Sequence, residues 1–206
     1  NAFRGDLASR EATLNIYDFV KLTDENIEHV FSGYEDGTML INGYELPEDF
    51  DPKSRPWYKA AISQKDRTVR ISYRDVNSGD WLFSTARAIL DESGEIIGIV
   101  AIDLSNERLS EILKSSYKYE TQTSYMINDK NLIMVHGKDR FLGEKLETVV
   151  EGLEKYEIKG EAGDFEYELN GEEKWAHYRR IDGTEFYSVT SINSKEVLCP
   201  LLNRSV

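Results

Sequence analysis

The chain has 206 residues, a formal net charge of −13, 40% hydrophobic and 31% charged residues, which suits one large domain or two small stacked ones with a real core and excludes wholesale disorder. The acidic balance argues against nucleic-acid binding and against a polybasic membrane-surface patch, because phosphate contact needs clustered Lys and Arg. A lone cysteine, Cys199, excludes a disulfide framework and a thiolate metal site.

In chain order, "DLASREATLNIYDFVKLTDEN" reads as a helix, with Leu7, Ala12, Ile16, Phe19 and Val20 at helical spacing. It opens mid-helix in character, and the chain is expected to be a domain of a longer protein. "IEHVFSGYEDGTMLING" reads as a hairpin turning at "EDG", whose glycine supplies positive φ. The loop "YELPEDFDPKS" follows. A helix then starts at Pro56, a favoured first-turn position because its missing N–H would go unpaired anyway, and runs through "WYKAAISQ". Three strands come next. "TVRISYRDV" places Val69, Ile71, Tyr73 and Asp75 on one face. "WLFSTARAIL" follows the turn "NSGD", and "IIGIVAIDL" is an apolar run that reads as a central strand. That run is far short of the roughly 20 residues that span a bilayer. "SNERLSEILKSS" is a helix capped by Ser105 or Asn106, with Leu109, Ile112 and Leu113 as its stripe.

The pattern then repeats. "TSYMINDKNLIMVHG" is a second hairpin and "GEKLETVVEGLEKYE" a second helix. "GDFEYELNG", "EEKWAHYRRI" and "TEFYSVTSI" are three more strands, and "NSKEVLCPLLNRSV" closes as a helix bent or ended around Pro200. The order of hairpin, helix and three strands occurs twice, which predicts an α+β chain of two tandem modules, each a five-stranded antiparallel sheet.

No catalytic motif is present. His29, His136 and His177 fall in separate strands, and no H-E-x-x-H, G-x-S-x-G or Walker loop occurs. The acids of "EDFD" and "GEAGDFE" read as solvated loop charges. "RPWY", residues 55–58, holds more information. Arg55 offers a planar fork of donors suited to a carboxylate, the first helical turn favours negative charge, and Trp57 adds an indole N–H. The competing reading pairs Arg55 with Asp51 or a sheet acid and sends both aromatics into the core. Asp103 bears on the choice. It shares a face with Ile97, Ile99 and Ala101, and a carboxylate on a buried face needs a partner: Arg55, the next helix, or a ligand ammonium. Tyr73 is placed to accept from the same ammonium. A guanidinium and a carboxylate at two ends of one cavity match a zwitterion.

"FDPKSRPWYKAA", followed by "ISYRDVNSGDWLFSTARAILDESGEIIGIVAIDLS", resembles the membrane-distal module of double Cache domains, the extracellular sensors of prokaryotic chemoreceptors and sensor histidine kinases. The resemblance covers nearly all of the chain and is most specific between residues 50 and 104. It implies two tandem PAS-like Cache modules with antiparallel sheets beside an N-terminal helix. The implied divisions are an N-terminal helix over 1–24, a distal module with the ligand site over 25–116, a proximal module over 117–193, and a helix over 194–206 leading to a transmembrane segment.

One subgroup of the family binds amino acids through an aromatic, then Arg-x-Trp-Tyr, then a Tyr and an Asp. Arg55, Trp57, Tyr58, Tyr73 and Asp103 fall at the matching positions. The resemblance implies that Arg55 and Trp57 hold a ligand carboxylate, and that Tyr73 and Asp103 hold its amine. Phe50 stands where the subgroup has a tyrosine. The missing hydroxyl is worth about 1.5–3 kcal/mol against a charged group unless water or Asp75 substitutes. In the second module Trp175, His177 and Tyr178 read better as packing than as a site. The resemblance implies no catalysed reaction, no cofactor and no metal. It implies a small-molecule ligand, an α-amino acid or another small carboxylate or amine, and a membrane-anchored full-length protein with this domain outside the cytoplasmic membrane. A homodimer through the N-terminal helix is the expected assembly. The alternatives are a non-binding spacer module and, from another class, a carboxylate hydrolase.

Overall fold

The computed structural model describes residues 7–150 and 158–196, and the chain divides into two compact units, Asn1–Ser105 and Asn106–Val206.

The first unit runs α1 (Leu7–Thr23), β1 (Ile27–Tyr34), β2 (Met39–Ile41), a 3-10 turn (Pro52–Ser54), α2 (Pro56–Ser63), β3 (Val69–Arg74), β4 (Trp81–Leu90) and β5 (Ile96–Ser105). Its antiparallel sheet has the order β2-β1-β5-β4-β3, so the apolar run of β5 is central, as its sequence predicts. β1 is covered on both faces. Phe31 and Gly33 meet Trp57 of α2, while on the other face Tyr17 of α1 donates to Ser32 Oγ at 2.8 Å. The β1–β2 turn is closed by Asp36, whose Oδ1 accepts from Thr38 N at 2.9 Å, and by Gly37 at φ 86°.

The rotation of α1 corrects the expected stripe. Leu7, Ile16 and Phe19 are 74%, 60% and 69% exposed, and Leu14, Tyr17 and Val20 form the half-buried face. Polar contacts set that rotation: the Tyr17 hydroxyl to Ser32, and Asn42 Nδ2 to Leu14 O at 3.2 Å and Asp18 Oδ2 at 2.8 Å.

The second unit runs α3 (Asn106–Ser115), β6 (Thr123–Ile127), β7 (Ile133–Val135), α4 (Leu146–Val149), β8 (Ala162–Leu169), β9 (Glu172–Arg180) and β10 (Tyr187–Asn193). Its sheet order is β7-β6-β10-β9-β8, the same connectivity as the first. The repeat seen in the sequence as a pattern of elements is thus a repeat of topology. α3 belongs to this unit. Asn106 is buried and brackets the His136 backbone, donating to its carbonyl at 3.1 Å and accepting from its N–H at 3.2 Å. The buried face of α3 carries Asn106 and Ser110, with Leu109 and Leu113 half-buried, whereas Ile112 of the expected stripe is 51% exposed. The second helix is described only as α4; residues 151–157 and, of the expected closing helix, residues 197–206 with Cys199 and Pro200 lie outside the described residues. Among the described residues no helix is long and apolar enough to cross a membrane.

Candidate functional site

The site is built around the start of α2. Asp51 caps the 3-10 turn through Lys53 N at 2.9 Å, and the chain then meets Pro56. A residue before proline is pushed out of the helical region, and Arg55 is extended at φ −76°, ψ 148°. Its side chain therefore leaves the helix and crosses to the sheet, where Nη2 donates to Arg74 O at 3.0 Å. The guanidinium carbon lies 5.8 Å from the Tyr73 ring centre and 6.0 Å from that of Phe50. No carboxylate of the described residues forms an ion pair with Arg55, so neither Asp51 nor Asp103 neutralises it.

Trp57 is 2% exposed and packs edge-on to Phe31, with ring centres 5.0 Å apart. Gly33 makes this possible. A Cβ there would come within 2.7 Å of both Trp57 Cη2 and Pro52 Cβ, closer than real contacts allow. Tyr58, the next residue, points elsewhere, because consecutive helical side chains diverge by about 100°. It is fully buried, does not line the pocket, and donates to Glu35 Oε1 at 2.8 Å.

Across the pocket, Asp103 on β5 lies in register between His29 of β1 and Ser84 of β4. It is 1% exposed. Its Oδ2 accepts from the Tyr73 hydroxyl at 2.5 Å. Its Oδ1 has no hydrogen-bond partner among the described residues, and neither has Ser84 Oγ. Burial pushes the Asp103 carboxyl up to about 7; the Tyr73 and Ser84 hydroxyls and the Arg55 charge pull it down, and Asp75 pushes it further up. Ser84 is thus close enough to act on the carboxyl without meeting hydrogen-bond geometry. Burial, then Asp103, drives the Tyr73 hydroxyl far above its ordinary range, so it stays protonated and donating.

Asp75 is better satisfied. Burial pushes it up, but the Ser78 N–H, the Tyr44 hydroxyl and the Asn77 N–H outweigh this and hold it below the usual value. Those contacts are 2.8 Å from Ser78 N and 2.9 Å from Asn77 N to Oδ1, and 2.8 Å from Tyr44 to Oδ2.

These groups line one pocket, narrow and partly open to solvent. It brings together Arg55, Trp57, Tyr73, Asp75, Asp103 and Phe50 of the residues singled out in the sequence, and leaves out Tyr58. Apolar walls come from Phe31, Met39, Ile41, Leu46 and Val76. Besides these apolar walls, two polar lining residues escaped the sequence reading. His29 had a usable signal, its even spacing with Phe31 and Gly33 on β1. Tyr44, edge-on to His29 at 5.0 Å, sits in a loop without periodicity. Arg55 and Asp103 together give the pocket a cationic donor fork and a buried anionic acceptor. No group of three or more potential metal ligands occurs among the described residues. In the second unit Trp175, His177 and Tyr178 form no such constellation. Trp175 stacks on His177 with ring centres 6.3 Å apart, and Tyr178 donates to Lys159 O at 3.0 Å.

A family model described as a Cache domain, of the double type, matches residues 4–201. Among curated proteins the chain is similar to the methyl-accepting chemotaxis protein McpB of Bacillus subtilis, 28% identical over 207 residues, covering 96% of this chain and 30% of McpB. It is also 29% identical over 160 residues to the methyl-accepting chemotaxis protein TlpA of the same organism, covering 76% of this chain and 22% of TlpA. The chain therefore spans less than a third of the length of these relatives. Among solved structures, the ligand-binding domain of the Pseudomonas aeruginosa amino acid chemoreceptor PctB in complex with L-Arg matches with a TM-score of 0.82 at 21% identity, covering 98% of this chain and 79% of that one. The ligand-binding domain of the Pseudomonas fluorescens chemoreceptor CtaA in complex with L-alanine matches with a TM-score of 0.75 at 22% identity, covering 91% and 81%. At such identities the structural likeness establishes the fold, and with the family match it carries one conclusion: the chain belongs to the Cache-domain family, in its double Cache form.

Proposed function

We propose that this chain is the ligand-sensing part of a transmembrane chemoreceptor or sensor kinase, catalyses no reaction, and binds a small zwitterion, an α-amino acid, in its first unit, the membrane-distal module. The observation that carries the reading is that Oδ1 of buried Asp103 has no hydrogen-bond partner among the described residues, in a pocket whose cation, Arg55, is not neutralised by any described carboxylate.

A ligand ammonium supplies what Asp103 lacks. It donates to Oδ1, and also to the Tyr73 oxygen, which keeps lone pairs free while its proton is held by Oδ2. The ligand carboxylate takes the remaining Arg55 donors, a charge-assisted and potentially bidentate contact, with the Trp57 indole N–H beside it. The side chain faces the apolar wall of Met39, Ile41 and Leu46. The ligand shifts the receptor only by its differential affinity for one arrangement. The exposed Leu7, Ile16, Phe19 and Leu22 of α1 give a homodimer an apolar surface to bury.

The test is a thermal-shift panel of L-amino acids, amine-free carboxylates and carboxylate-free amines. A ligand that binds only the native state stabilises it by about 2.7 kcal/mol at a hundredfold excess over Kd. Amino acids are expected to raise the midpoint, and Arg55→Ala and Asp103→Ala each to abolish the rise. A rise that survives both substitutions contradicts the site. A response to amine-free acids that ignores Asp103 makes this a carboxylate sensor, and a silent panel favours a spacer.

A further inference from the structure

The second unit has a cavity of its own, about 150 Å³, which the reading above does not use. Tyr125 lines it. The ring is 3% exposed, and the hydroxyl is buried without a hydrogen-bond partner among the described residues. A buried hydroxyl left unpaired is costly, and its retention at a cavity points to a partner that comes from outside. Beside it stands His136, ring centres 5.5 Å apart. His136 Nδ1 accepts from Lys138 N at 2.8 Å, which places the proton of the neutral ring on Nε2 and makes that atom a donor. At the same cavity Tyr167 donates to Ser191 Oγ at 2.9 Å. Lys174 also lines it. Its side chain is 11% exposed, and its Nζ lies 2.5 Å from Asn193 Oδ1 and 3.7 Å from Glu172 Oε2.

The charge here runs against that of the whole chain. Among the described residues, Lys138 and Lys174 line the cavity against one acid, Glu172. Burial, then Lys138, Arg140 and Lys114, push His136 down to about 4, so the ring is neutral at physiological pH and every charge acting on it is positive. The first-unit pocket is the opposite case, with two carboxylates and one guanidinium. Ile133, Phe141, Leu146, Val150 and Leu169 supply an apolar wall, and Thr123 and Asn170 add neutral polar groups. Donors, a positive balance of lining charge, an apolar wall and, among the described residues, no buried carboxylate to receive an amine describe a small organic anion.

We propose that the second unit carries a separate binding site for a small monocarboxylate without an amine. The carboxylate takes the Tyr125 hydroxyl and His136 Nε2–H, Lys174 supplies the counter-charge, and a short apolar tail lies against Ile133 and Leu146.

The test titrates the 206-residue chain with sodium propionate, butyrate and pyruvate, with sodium chloride as control, following the His136 ring resonances by NMR and the melting midpoint. Saturable movement of the His136 signals is expected, with an upward shift of its titration as an anion settles beside it. Tyr125→Phe should weaken binding by about tenfold while the unliganded protein melts no lower, because the unpaired hydroxyl is gone; a loss of binding then cannot be blamed on misfolding. Lys174→Met should weaken binding too, and Arg55→Ala should leave it unchanged. The proposal is overturned if no carboxylate saturates the His136 signals at tens of millimolar, if chloride reproduces the change, or if Tyr125→Phe binds as well as wild type. Loss of binding in Arg55→Ala also overturns it, since that places the carboxylate in the first unit.

Discussion

The Tyr73 hydroxyl donates to Oδ2 of Asp103 at 2.5 Å, while Oδ1 of the same carboxyl has no partner among the described residues. One oxygen is held and the other is offered to the pocket. Tyr73 fixes the orientation of the carboxyl, and burial keeps that carboxyl poised between its charged and neutral forms.

Stability should therefore depend on pH through Asp103. Its folded value, about 7, lies above the ordinary 3.8 because of burial. A raised carboxyl contributes stability that is fully present below the unfolded value and lost as pH rises through the folded one. Asp103→Asn removes that dependence. The stability of the variant relative to wild type, read from denaturant unfolding, should climb between pH 4 and pH 7, by about 1.4 kcal/mol per pH unit at most, and then level off. A difference that is flat across this window would show that Asp103 does not titrate as its surroundings dictate.

Arg55→Ala removes the only lining Lys or Arg of the first pocket among the described residues while leaving Asp103 and Tyr73 in place. Loss of a hydrogen bond to a charged group costs about 1.5–3 kcal/mol, or roughly 10- to 150-fold in Kd. Calorimetry should show that loss for L-amino acids and little change for carboxylate-free amines. Equal losses for both classes would mean that Arg55 shapes the pocket rather than gripping a carboxylate.

Gly33→Ala tests the support of Trp57. The added Cβ meets backbone-anchored Pro52 and the tip of a buried indole, so the indole or α2 must move, at about 1–3 kcal/mol of stability. Ligand affinity should fall although Gly33 itself touches no ligand. Normal affinity in a normally stable variant would show that the seat of Trp57 tolerates the shift.

Tyr58→Phe is the contrast. It removes a hydrogen bond to Glu35, with an expected cost of about 1–3 kcal/mol in stability. Binding should be unchanged, because the hydroxyl lies outside the pocket lining. A clear drop in affinity at matched stability would put Tyr58 back among the ligand contacts.

Much of this arrangement was legible in the sequence because strands alternate with period two. Tyr73 follows Val69 and Ile71 inward, and Asp103 follows Ile99 and Ala101, so both faces could be read from spacing alone. The repeated order of elements likewise led to two sheets of the same connectivity. The helices were harder. A 3.6-residue period yields a stripe, but contacts elsewhere choose which way it turns: the Tyr17 and Asn42 hydrogen bonds rotate α1 so that Ile16 and Phe19 face outward, and Asn106 docks α3 on the His136 backbone. Tyr44 was invisible because a loop side chain carries no period. Tyr58 entered with the Arg-x-Trp-Tyr match, which carries no information about helix faces, and consecutive helical side chains diverge, so it lies outside the pocket lining that holds Trp57.

The most direct measurement is the proton balance of amino-acid binding, obtained by calorimetry at pH 6 in buffers of different ionisation enthalpy. With Asp103 near 7 in the empty pocket, an ammonium that seats on Oδ1 must displace its proton. Close to one proton released per ligand is expected in wild type, and none in Asp103→Asn, whose affinity should also collapse. Tight amino-acid binding with no proton released, or binding undiminished in Asp103→Asn, would contradict the assignment of Asp103 as the amine end of the site.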